Sequence, residues 1–447
     1  MKKLGFLFII VLVALLPALL WGQNVIQVAA GDNVINPAIA SAQPGDIIEL
    51  TTSGGVYTQA DSIAIDKNIT IRAAAGLEEK PILKRTTAGR QLIHLFASLT
   101  LDGVVLDGAA TDTDSLAYAF AVDEGVAFWY NLKVNDCEIK NFGSWGSNGR
   151  VIWPPATTQA DTVVFTNCFI HHMGHDGVFL RSGSSSIPPG VCVNVTIENC
   201  TFWHIFGTSI DVRGFPSGHS DWNQAQPKVL INHVTIFDQN TSWKAIYPRP
   251  IDYAVVKNII IAQPDTLGGA GIRLYGDHTV CTNVLYWNSD GIEFKSGNPD
   301  TSNIWNADPM FADPTHGDFN LMEGSPAIGK ADDGGNLGDT RWKVVPNTAV
   351  AEEQPASSPR TFALYQNYPN PFNPSTTIGF DIAKPTHVRL AVYDVLGRLV
   401  ETLLEKDLVA GHYSVNWQAT KKTTSGILLY RLEIGDRVFT RKMILMK

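Results

Sequence analysis

The feature that most restricts this chain is a strand pattern that returns six times. VNDCEI, FTNCFI, IENCTF, INHVTI, VKNIII and CTNVLY each set a small apolar residue just after a turn residue, with β-type residues on both sides. The shared positions are Cys137, Cys168, Cys200, Val234, Ile259 and Val284, spaced 31, 32, 34, 25 and 25 residues apart. Two looser copies precede them, at Ile69 in NITI and at Val104 in DGVVL. A unit of this length holds a few short strands and cannot bury its apolar face alone, so neighbouring units must stack as a solenoid. In five copies the preceding residue is asparagine: Asn68, Asn167, Asn199, Asn258 and Asn283. Asparagine tolerates the left-handed backbone of a tight turn, and its carboxamide can hydrogen-bond along the stack.

This pattern resembles the asparagine ladder of right-handed parallel β-helices, and the resemblance extends over about residues 24–340. The opening, QVAAGDNVINPAIASAQPGDIIEL, reads as a strand, a short amphipathic helix that caps the open end, and a first rung. DPMFADPTHGDFNLMEGSPAIGKADDGGNLGD resembles the closing coil of secreted bacterial β-helix proteins. The expected fold is therefore all-β, with a right-handed parallel β-helix of about eight rungs over 23–344. A linker (345–360) and a small immunoglobulin-like β-sandwich (361–447) follow.

Residues 1–22 join a basic MKK to a long apolar run and read as a secretory signal peptide, with a membrane anchor as the alternative. The whole chain carries −9; setting aside the leader's two lysines and the tail's +4 leaves −15 on residues 23–360. Such a body is not a general nucleic-acid binder. The stretch 345–361, VVPNTAVAEEQPASSPR, shows no apolar period and reads as a linker.

Cys137, Cys168 and Cys200 fall in register and are expected to stack inside, and Cys281 also reads inward. Buried thiols serve as small hydrophobes, although an oxidising compartment leaves one disulfide open.

A second strand follows in each rung: GRVIWP, DGVFLRSG, SIDVRG, AIYPR, GIRLYG and GIEFKSG. With Val151, Val178, Ile210, Ile246, Ile272 and Ile292 inward, alternation turns Phe179, Asp211, Tyr247, Arg273 and Glu293 outward. The next outward column is Arg181, Arg213, Arg249, Tyr275 and Lys295. Unpaired cations about 5 Å apart repel by roughly 3 kcal/mol at an effective dielectric of about 20. Such a column must be hydrated, paired with Asp211 and Glu293, or kept for an anionic ligand. The intervening loops 182–190 and 214–227 are long enough to wall a cleft, and Trp145, Trp222, Trp243, Tyr247 and Tyr275 offer aromatic faces for sugars.

Here the body resembles the chondroitinase B and alginate lyase group of β-helix polysaccharide lyases. That resemblance implies β-elimination at a uronic acid, with a Lys base, an Arg on the next rung and calcium held by acidic residues. The Lys position is Arg181, the following Arg is Arg213, and the two acidic positions are Gly174 and Asp176. Arg181 is a poor base because arginine stays protonated, and only Asp176 remains as a calcium carboxylate. His175, in IHHMGHDG, is the preferred base, with Arg181 and Arg213 as its catalytic companions. The alternative is that His171, His172, His175 and His204 pack and hydrogen-bond at a turn; a zinc pair of His171 and His175 is a lesser one. Asp332, Asp333 and Asp339 form either an acidic turn or a calcium loop. Substrate contacts are expected from Asp211, Trp222, Tyr247, Arg249, Arg273, Tyr275 and Lys295.

Three classes stay open: a uronate lyase, a non-catalytic glycan binder or adhesin, and a pectinase-type hydrolase. The hydrolase ranks last, because Glu293 lies rungs away from Asp176 and Asp211, whereas paired carboxylates work about 5–9.5 Å apart.

The tail holds strict strand alternation in VRLAVYD. YPNPFNPST, VYDVLGRLV, the spacing of Tyr413 and Trp417, and the final basic-apolar strand with Lys442 closely resemble the C-terminal sorting domain of the type IX secretion system. That resemblance implies export across the outer membrane of a Gram-negative bacterium, removal of the tail, and release or surface attachment. The expected partners are that machinery and an acidic polysaccharide, with the chain as a monomer.

Overall fold

The computed structural model describes residues 23–109, 115–122, 129–143, 148–154, 159–180, 192–213, 228–239, 244–249, 254–264, 271–275, 278–295, 300–346, 362–367, 370, 372, 374–409, 411–420, 423–435 and 437–446. The leader, Arg181, Trp145, Trp222 and Trp243 lie outside them, as do all of the loops 182–190 and 214–227 and nearly all of the linker.

The body is a parallel β-helix. Eleven strands, from Val25–Val28 to Asp300–Asn306, pair in parallel succession along its longest face. A second leg begins after a one-residue bend and fuses with the first in long strands such as Cys192–Ile205 and Lys228–Gln239. The third leg forms two smaller parallel sheets. One holds Ile63–Ile65, Gln91–Leu95, Tyr118–Val122 and Arg150–Trp153; the other holds Val178–Leu180, Ile210–Arg213, Ile246–Arg249, Ile272–Leu274 and Ile292–Phe294. The crossovers joining such parallel strands are right-handed as a rule. The helix Ile35–Ser41 covers the first rung with Ile35, Ala38 and Ile39.

The bend explains the recurring asparagine. Asp136, Asn167, Asn199, His233, Asn258, Asn283 and Asn303 all have φ between 49° and 57°, in the left-handed region. Asn167 Nδ2 donates to Asn135 Oδ1 (2.8 Å), Asn199 to Asn167 (2.6 Å) and Asn258 to Asn232 (2.9 Å). Each rung thereby satisfies polar groups of the rung before it, which the dry interior requires. One expected register needs correction. Pro81, not Ile69, precedes Val104 in this column, because Val105 pairs with Ile82. Ile69 pairs with Leu99 in the first leg, and Asn68 Oδ1 there accepts the N–H of Ser98 (3.0 Å). The motif NITI has the turn residue and the strand but stands one leg earlier.

Cys137, Cys168, Cys200 and Cys281 are buried free thiols. The first three stack as expected, and each S–H donates to the carbonyl two residues earlier, at 3.1, 3.2 and 3.2 Å.

The closing coil folds back over the asparagine turns. Asn283 donates to Lys330 O, Asn258 holds Asp332, His233 meets Asp333, Asn199 accepts from Thr340, and Arg341 donates to the carbonyls of Asn167 and Cys168. Its Phe311, Phe319 and Leu321 pack on Phe237, Ile260 and Leu285 in a separate apolar cluster. The tail is an antiparallel sandwich of a three-stranded and a four-stranded sheet around Phe380, Val392, Trp417, Tyr430 and Leu432. His316 of the closing coil meets it, its ring 4.3 Å from that of Tyr365.

Candidate functional site

The third leg sets the outward columns. Val178 pairs with Ile210, Ile210 with Ile246, Ile246 with Ile272, and Ile272 with Ile292. The column Phe179, Asp211, Tyr247, Arg273 and Glu293 is therefore in register as the sequence predicts. Its exposure differs from expectation. Phe179 and Asp211 belong to no interior cluster, yet they are only 4% and 2% exposed, so Asp211 is not the open substrate contact anticipated. Alternation fixes which way a side chain points, whereas tertiary neighbours decide whether it is covered.

The lower part of the face is a paired ladder. Glu293 Oε2 accepts from Arg273 (2.8 Å from Nε, 2.7 Å from Nη2), and its Oε1 meets Lys295 Nζ at 2.5 Å. Lys244 stands 3.5 Å from Glu293 and 2.9 Å from Asp290. The hydrogen bonds from Lys295 and Arg273 hold the Glu293 carboxyl down at about 2. Arg273 lies over the Tyr247 ring at 5.2 Å, and the hydroxyls of Tyr247 and Tyr275 are 2.9 Å apart. The cations of this stretch thus answer to Glu293, one of the three outcomes that the repulsion argument allowed. Arg213 and Arg249 end their strands at matched positions.

The upper part holds a cluster that the sequence reading only half found. Asp176 Oδ2 accepts from Arg150 Nε (2.9 Å) and meets His175 Nδ1 (2.9 Å), while its Oδ1 accepts the Thr208 N–H (2.9 Å). Burial pushes the Asp176 carboxyl up, but the hydrogen bond from His175 and the charges of His175 and Arg150 outweigh it and hold it below its usual value. Arg150 also lies 4.9 Å from the Trp153 ring and 5.0 Å from the Phe179 ring, which are stacked on each other. Arg150 is the second residue of the quoted block GRVIWP and opens the strand Arg150–Trp153, and that place on a third-leg strand was the available signal. Asp176, expected to hold calcium, is instead engaged on both oxygens by groups of the chain, so a metal there would have to displace Arg150 and His175.

The other histidines of IHHMGHDG face elsewhere. His171 bonds to Glu138 and His172, whereas His175 donates from Nδ1 to Asp176 and lies beside Arg150, so the pair His171/His175 shares no ligand-like focus. Asp332 pairs with Lys257, Asp333 with His233 and Asp339 with Arg341, which gives that loop the character of an ion-paired acidic turn. Among the described residues no three His, Cys, Asp or Glu side chains are gathered as for a metal ion, and no helix is long and apolar enough to cross a membrane.

Residues 366–446 match the family described as the secretion system C-terminal sorting domain, and the chain is thereby marked for secretion or display at the cell surface. Residues 55–205 match a domain of unknown function, DUF4957. No curated protein matches the chain. Among solved structures, the PL6 family alginate lyase AlyGC is similar in a mutant form (18% identity, TM-score 0.46) and in its unmutated form (17%, 0.41). Each match covers 63% of this chain and 39% of the lyase, so the chain spans about two fifths of those enzymes' length.

Proposed function

We propose that this exported protein takes an acidic polysaccharide along the outer face of its third leg, and that His175 is the base of a uronate β-elimination there. The observation that carries this reading is the fixed imidazole. Asp176 holds His175 through Nδ1, beside the Arg150 guanidinium. A ring held that way exchanges protons through Nε2, and the carboxylate behind it stabilises the imidazolium as it forms. The proton removed is alpha to the sugar's carboxylate, whose charge must be offset while the carbanion develops. Arginine suits that task because it stays charged and binds carboxylates with two N–H groups. Arg181 and Arg213 are assigned to it, with Arg249, Tyr247 and Tyr275 contacting the flanking sugars. Calcium enters this reading only as an addition to those arginines.

A second reading, a non-catalytic glycan binder or adhesin, is favoured by the ladder in which Glu293 already neutralises Arg273 and Lys295. The purified chain, mixed with alginate, pectate, chondroitin and dermatan, with and without calcium, separates the two. A rise in the ultraviolet absorbance of an unsaturated uronate, abolished in His175→Gln, supports the lyase. Retention on an acidic-glycan affinity gel without that rise supports the binder. Neither signal refutes both.

A further inference from the structure

The second bend of each rung carries its own column of left-handed residues: Asn141 (φ 64°), His172 (55°), His204 (55°) and Asp238 (55°). Flanking pairs hold them in register on successive rungs. We infer that Nε2 of His172 and Nε2 of His204 form a site for a divalent transition metal such as zinc or nickel, with water completing the coordination.

The hydrogen bonds fix the tautomers. Glu138 Oε1 lies 3.2 Å from His171 Nε2, and a carboxylate only accepts, so that nitrogen carries the hydrogen. The neutral ring of His171 has one N–H, and Glu138 takes it. Its Nδ1 is then an acceptor, and the 2.7 Å contact with His172 Nδ1 requires His172 to donate. The lone pair of His172 therefore lies on Nε2. On the next rung His204 donates from Nδ1 to Asp238 Oδ2 at 2.6 Å, which puts its lone pair on Nε2 as well. Histidines that bind metals have this arrangement, with the second ring nitrogen donating to a carboxylate or another fixed acceptor.

The spacing also fits. The two ring centroids are 5.0 Å apart. A metal bound at 2.0–2.1 Å lies about 3.2 Å from each centroid, so rings at this spacing can share one ion at a roughly tetrahedral angle when both Nε2 atoms turn to it. Imidazole donors select zinc, copper or nickel, and calcium prefers oxygen.

Isothermal titration of the full-length, untagged chain with zinc and with nickel tests the site. Binding is expected to weaken at least tenfold in His172→Asn and in His204→Asn, and to persist in His175→Gln. Asparagine already fills this column at Asn141, so the substitutions suit the left-handed backbone and Tm should hold. A second measurement needs no variant: zinc should protect His172 and His204 of the wild-type chain from diethylpyrocarbonate, read by peptide mass. Absence of binding at millimolar metal, unchanged affinity in both asparagine variants, displacement by millimolar calcium, or lack of protection would each overturn the inference.

Discussion

Asn258→Ala should be among the most damaging single changes in the body, and the structure says by how much. Asn258 is fully buried and left-handed, with φ 57°. Its Nδ2 donates to Asn232 Oδ1 (2.9 Å) and Asp332 Oδ1 (2.7 Å), and its Oδ1 accepts the Asp332 N–H (3.0 Å). Alanine in a left-handed conformation costs roughly 1–2 kcal/mol. Three hydrogen bonds at roughly 1 kcal/mol each bring the total to about 4–5 kcal/mol. Asn283→Ala is the internal control. It has the same φ of 57°, but its side chain is tied to the Lys330 carbonyl (2.7 Å). Its loss should be about 2–3 kcal/mol, from the same backbone cost and one bond. Urea unfolding followed by tryptophan fluorescence measures both. Equal losses would show that the backbone alone sets the cost and that the bonds between turns and closing coil contribute little.

Other outcomes follow from the same contacts. Arg150→Met removes one partner of a buried ion pair and should cost about 3 kcal/mol at neutral pH, the low end for such pairs because His175 and Thr208 still hold Asp176. The Asp176 carboxyl is depressed in the folded chain, so its contribution is present above the ordinary carboxylate pKa and fades as pH falls through the lower folded value. Arg150→Met should shift that fading to higher pH in urea midpoints taken across the acid range, and an unshifted profile would contradict the pairing. Glu293→Gln should strengthen retention on an acidic-glycan gel at low salt by releasing Arg273 and Lys295, whereas weaker retention would mean that Glu293 itself contacts the sugar. Burial raises the thiols of Cys137 and Cys200 and pushes Cys281 up to about 12. A thiol reagent should therefore leave these cysteines unlabelled in the native chain and label them in urea; rapid native labelling would refute their burial.

The outcomes at individual residues show where sequence reasoning reaches and where it stops. Asn167, Asn199, Asn258 and Asn283 were legible because a left-handed bend restricts residue type so strongly that the geometry is written into the chain. His233 and Asp136 fill the same bend without being asparagine, and Asn68 has the motif one leg away, so residue type alone misplaces the edges of the ladder. In the candidate site, His175 and Asp176 were found from their proximity in sequence. Arg150 was missed as their partner because it arrives from the preceding rung, 26 residues away.

The sequence by itself determined the repeat, the inward columns, the stacked thiols, the capping helix and the sorting tail. The repeat, the inward columns and the stacked thiols are imposed by local restrictions, such as a left-handed turn or a two-residue alternation, that leave a periodic trace; the capping helix and the sorting tail were legible through motifs that resemble known families. Only the tertiary structure decided that Asp211 is covered, that Glu293 neutralises Arg273 and Lys295, that Arg150 occupies Asp176, and that the closing coil returns along the asparagine turns. Those outcomes depend on distances between side chains from different rungs, and such distances have no period to read.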